Sequence, residues 1–185
     1  MRNFLTTTIL FFNCVFAFSQ YQVETGARQS AMGGTGLILF DIWSSYHNQA
    51  GLADLEGLSA GVFYSSIFNV PDLRETAFAL AYPTEKFGSA GINYSYSGNP
   101  ASNFGKFGLN YSKRLSKKIT AGIQLDYFYH KQINYGNNSA VVGEIGIITE
   151  PADRLFIGAH VFNPWGAKFS GIDEQLTATN RSSHR

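Results

Sequence analysis

The chain contains one cysteine, Cys14, and it falls within the first twenty residues. A mature chain cleaved beyond it has no disulfide framework and no thiol chemistry, which excludes small cross-linked scaffolds and cysteine nucleophiles. Charge is sparse as well. Asp, Glu, Lys and Arg make up 15% of the residues and almost cancel, leaving a formal net charge of +1. Without a basic excess there is no electrostatic footprint for nucleic acid. After the first twenty residues, no apolar run approaches the roughly 20 residues of a helical membrane span. The four histidines, His47, His130, His160 and His184, are far apart and lack paired-ligand spacing, so no metal is expected. Gly33-Gly34-Thr35-Gly36 is followed by no Lys-Ser/Thr pair, and no Gly-x-Ser-x-Gly elbow occurs. No cofactor and no enzymatic activity are expected.

Residues 1–19 read as a signal peptide. Arg2 supplies the positive end, Phe4 to Phe18 is mostly apolar, and Ala17-Phe18-Ser19 offers small residues for cleavage before Gln20. Phe11-Phe12-Asn13 is a poor approach to a lipidated Cys14. The chain is therefore expected to be exported. The remainder divides into an N-terminal segment (20–56), a run of strands (57–169) and an irregular polar tail (170–185).

What the chain has in abundance is aromatic residues (15%) and glycine (19). From Gly57 onward it breaks into seven segments of alternating polarity: Gly57–Ser66, Glu75–Tyr82, Gly88–Ser97, Phe104–Arg114, Ile119–Lys131, Ala140–Thr149 and Leu155–Asn163. A period of two with one apolar face marks half-buried strands, and about ten residues is the length of a tilted membrane strand. Short polar turns at 83–86, 116–118 and 151–154 alternate with longer connections at Ile67–Arg74, Gly98–Asn103 and Gln132–Ser139, as the two rims of a membrane barrel require. Tyr64, Tyr82, Phe87, Tyr96, Tyr127 and Tyr129 lie near strand ends, in keeping with interfacial aromatic girdles. The opposite parity carries Asn93, Asn110, Gln124, Asp126, Glu144 and His160, which are expected to face a polar lumen. A dry core would leave such groups unpaired at a few kcal/mol each. The expected fold is all-β, an antiparallel up-and-down transmembrane β-barrel of about seven to eight strands, partial, with an N-terminal plug segment. A soluble secreted β-sandwich is the alternative that the alternation alone leaves open.

The N-terminal segment has its own character. Gly26-Ala27-Arg28, Ala31-Met32-Gly33-Gly34, Asp41 and Tyr46-His47-Asn48-Gln49-Ala50-Gly51-Leu52 together resemble the opening of FadL-type outer-membrane barrels. The resemblance is closer to their PorV/PorQ-like relatives, which are linked to type IX secretion. Gln49 stands where that motif has proline, and Asp41 stands alone where it has an acidic pair. The resemblance, carried by residues 26 to about 169, implies that the segment enters the barrel as a hatch.

It also implies residence in the outer membrane, contact with outer-membrane lipid, and a non-enzymatic role in transport or secretion. Hydrophobic small molecules or secretion-system proteins are the implied partners, and a scaffold barrel holding a secreted protein is the alternative. Arg28 is expected to reach a lumen carboxylate, Asp126 or Glu144, because an unpaired buried charge is costly. Met32 and Trp43 are expected inside the wall. Seven strands are odd where bacterial single-chain barrels are even, so the expectation is that the chain is an N-terminal part of a larger barrel, with completion by a partner or a second copy as the alternative.

Overall fold

Alternation with a period of two carries through to the backbone. In the computed structural model, which describes residues 24–133 and 136–167, seven strands follow one another. They are β1 (Ser59–Ser66), β2 (Arg74–Thr84), β3 (Gly88–Gly98), β4 (Ser102–Ser116), β5 (Ile119–Gln132), β6 (Gly136–Ala152) and β7 (Leu155–Phe162). Each pairs antiparallel with the next in simple chain order, so the described strands form one sheet rather than the two of a sandwich. The sheet curls into a half-barrel. The expected signal peptide, its cleavage site and the tail at 170–185 lie outside the described residues.

Two of the three connections expected to be long are short. β3 continues to Gly98, which pairs with Asn103, and β5 and β6 continue until Gln132 pairs with Gly136. Only 99–101 separate β3 from β4, and β6 begins at Gly136 after β5 ends at Gln132. At these ends both faces of the ladder are polar, so the alternation fades while backbone pairing goes on. Asn99 supports its turn by accepting from the amides of Ala101 and Ser102 at 2.9 and 2.8 Å. Only the β1–β2 connection is long; it holds two 3-10 turns, with Phe68 and Asn69 at positive φ. β6, at 17 residues, is the longest of the described strands.

Register places the two faces of the sheet unambiguously. Val62, Phe78, Tyr94, Phe107, Tyr127 and Val141 form one row across six strands. Leu80, Ile92, Leu109 and Leu125 form the next, and Tyr111, Ile123, Ile145 and Val161 the one after. These residues are on the convex side, and most of the large ones are exposed. The girdle residues Tyr64, Tyr82, Phe87 and Tyr127 are exposed, and Tyr94 and Tyr129 meet through their hydroxyls at 3.1 Å.

The concave side is covered by the N-terminal segment, which comprises α1 (Ala27–Ala31), α2 (Ser44–His47) and a 3-10 turn (Gln49–Asp54). Asn48 starts that turn by accepting from the Ala50 amide. Alanines on the inner side of β2 make room for it: Ala77 and Ala79 are fully buried beneath Tyr46, with Ile42, Trp43 and Phe63 packed around them. A second apolar cluster joins Phe128, Ala140 and Val142 to Phe104, Phe162 and Ala167.

Candidate functional site

Parity along β4 and β5 brings ionisable side chains to the middle of the concave side. Even-numbered residues of β4 and β5 point inward, so Lys106, Gly108, Asn110 and Ser112 run along one strand beside Gln124 and Asp126 on the next. Lys106 Nζ donates to Glu144 Oε1 at 2.9 Å and lies 3.4 Å from Asp126 Oδ2. His160 Nε2 is 3.1 Å from the other oxygen of Glu144. Asp126 and Glu144 are 0% and 2% exposed and Lys106 is 8% exposed, so one ammonium answers two carboxylates away from water. The ammonium also sits over the rings of Phe128 and Tyr46, at 5.5 and 5.7 Å from their centroids. Gly108 leaves the space that Asp126 uses, since a Cβ there would stand 2.5 Å from Asp126 Oδ1.

The N-terminal segment is bonded into this cluster. Gln49 Nε2 donates to Glu144 Oε2 at 2.5 Å. Asn93 donates to the Ser45 carbonyl at 2.9 Å and to Gln124 Oε1 at 3.0 Å, and Gln124 donates to Asp126 at 2.7 Å. The Tyr46 hydroxyl lies within donating distance of two strand carbonyls, those of Phe78 (2.9 Å) and Tyr94 (2.7 Å). Asn48 Nδ2 donates to the carbonyls of Leu37 at 2.8 Å and Ile147 at 3.2 Å. Close approach is possible because Gly122 and Gly146 face each other across β5 and β6. A Cβ on Gly122 would come within 2.5 Å of the Gln49 carbonyl carbon, and one on Gly146 would overlap the Asn48 side-chain oxygen.

The motif residues divide into two halves. Asn48, Ala50, Gly51 and Leu52 are buried against the sheet, together with Tyr46, His47 and Gln49. Gly26 is buried beside Trp43, whereas Ala27, Arg28, Met32 and Gly33 are exposed and Gly34 is half-buried. Asp41 clasps the segment internally, accepting from Gln29 Nε2 at 3.0 Å and from the Trp43 amide at 2.9 Å. Trp43 is inside as expected, edge-on to Phe63.

Two expectations need correction. Met32 is 46% exposed, away from the inner face. Arg28 is exposed and makes no ion pair among the described residues, while Asp126 and Glu144 are met by Lys106. The reason is position: Arg28 lies in the exposed half, and Lys106 projects from the wall itself. Its inward parity beside Asn110 and Ser112 was the signal in the sequence. The expected inward residues Asn93, Asn110, Gln124, Asp126 and Glu144 are all buried on the concave side, with His160 at the edge of the same cluster.

Burial lowers the pKa of His47, because the charged imidazolium would lose its hydration there. Its Nε2 lies 2.8 Å from the Thr25 carbonyl, which can only accept, so that nitrogen carries the hydrogen. At one rim, Arg114 binds Asp54 at 2.5 Å and ties the end of the 3-10 turn to β4. No family model, no curated protein and no solved structure matches this chain.

Proposed function

We propose that the chain forms part of an outer-membrane β-barrel of FadL/PorV-like type, transport- or secretion-related, in which residues 26–52 act as a plug. The observation that carries this reading is the distribution of charge between the two faces. On the convex side of β4, no charged residue lies between Asn103 and Lys113. The same side of β5 is uncharged from Ile119 to Tyr129, and that of β6 from Asn137 to Thr149. Ten residue steps at about 3.4 Å, tilted by about 40°, span about 26 Å, which matches the roughly 25 Å apolar band of membrane barrels. In water such a face would be a very large exposed apolar patch, of the kind soluble monomers avoid. The charged and amide side chains are instead gathered on the concave side, under the N-terminal segment.

Outer-membrane fractionation followed by conductance in planar bilayers tests the reading. The protein is expected in the outer-membrane fraction with low conductance, and deletion of 26–52 is expected to raise conductance sharply while insertion persists. Recovery in the soluble fraction would overturn the membrane reading. Unchanged conductance of an inserted deletion variant would overturn the plug.

A further inference from the structure

The N-terminal segment does not fit the wall evenly. Over β5 and β6 its backbone rests directly on Gly122 and Gly146. Over β3, β4 and the start of β5 the wall presents buried polar side chains without a hydrogen-bond partner. Ser89 Oγ, Ser112 Oγ, Thr120 Oγ1 and both polar atoms of Asn110 are buried without a hydrogen-bond partner. These residues are neighbours: Ser89 stands opposite Ser112, Asn110 follows two residues away on the same side of β4, and Thr120 stands opposite Arg114 on β5. All four are 5% exposed or less. Gly91 has no side chain to separate Asn110 from β3, since a Cβ there would meet Asn110 Oδ1 at 2.6 Å.

We propose that this patch is a water-binding seam, in which ordered water molecules bridge Ser89, Asn110, Ser112 and Thr120 beneath the 3-10 turn. The chemistry asks for a small ligand that both donates and accepts. The three hydroxyls do both, and the Asn110 amide adds two donors and an acceptor. A buried water typically makes about three hydrogen bonds to otherwise unsatisfied polar groups. A patch of hydroxyls and one amide, with no fixed charge of its own, suits water better than an ion. Leaving these groups dry would forfeit their hydration with no return. The site does not depend on the membrane reading: it follows from the covering of the concave side by the segment alone.

Methyl-labelled protein in detergent micelles tests this through magnetisation transfer from water. The Leu52 and Ile148 methyls are 0% and 2% exposed, and Ile148 pairs with Thr120, so bulk water does not reach them. Cross-peaks between these methyls and long-lived water are expected in the full chain. They are expected to disappear in Asn110→Leu/Ser112→Val while other methyls keep their shifts. Absence of the cross-peaks in the unsubstituted protein would overturn the seam, whatever the double variant does. Their persistence in a folded double variant would overturn it equally.

Discussion

Lys106 faces Asp126 and Glu144 with a single ammonium, and all three side chains are buried. Removing one member of a buried ion pair is worse than never having built it, because the partners keep their desolvation cost and lose the compensating charge. Lys106→Met is therefore expected to destabilise the protein by about 3–5 kcal/mol, seen as a lower thermal midpoint, whereas Arg28→Met leaves it unchanged. A second residue gives pH dependence. His47 has its pKa lowered while docked, so the released segment binds protons more readily than the docked one. Docking is complete above the free value of about 6.5 and weakens as pH falls through it. Burial outweighs the Thr25 hydrogen bond and the charges of Asp41 and Glu24, which act to raise the value, and the charge of Lys106 lowers it further. Trp43 fluorescence in a Trp165→Phe background checks this. A shift toward the exposed spectrum is expected between pH 7.5 and 5, and it is expected to shrink in His47→Gln.

At the scale of elements, β4 shows how one strand serves two environments. Phe107, Leu109 and Tyr111 lie outward and exposed, while Lys106, Asn110 and Ser112 lie inward and buried. Leu109→Arg or Ile123→Arg places a cation in the middle of the convex apolar rows. If that surface meets lipid, each costs roughly 2–4 kcal/mol near the midplane. Assembly yield in membranes is expected to fall for both and to hold for Lys113→Gln, at the edge of the band. Equal yields for all three would show that the convex face does not meet lipid. Gln124→Arg is a poor inward control, because Gln124 is 4% exposed and bonded to both Asn93 and Asp126. Its inward parity is legible in the sequence, but its coverage by the segment is not.

For the whole molecule, the governing feature is that the described sheet is open. β1 and β7 are its two ends and do not pair with each other. Unpaired backbone groups facing lipid cost several kcal/mol each. The membrane reading therefore requires further strands, from more of the same polypeptide or from a second copy. The N-terminal segment contributes to the curl: through Tyr46 it reaches β2 and β3, through Asn93 it holds Ser45, and through Gln49 and Asn48 it reaches β6.

The sequence by itself determined the strands and their faces. Side-chain direction in a strand depends only on parity, so Asn93, Asn110, Gln124, Asp126 and Glu144 could be assigned to one side without knowing the curl. Strand ends were less legible at Gly98–Asn103 and Gln132–Gly136, because pairing outlasts the apolar alternation where both faces are polar. The tertiary structure alone decided which partners meet across the concavity. Arg28 and Lys106 are both single cations near small residues; strand parity turns Lys106 inward but does not say which carboxylates it meets. The curl brings β4, β5 and β6 together around Lys106, and the glycines of β5 and β6 admit the Asn48–Ala50 backbone, while Arg28 is left at the surface. Parity is a property of each strand, whereas pairing across the concave side is a property of the bend that all seven share.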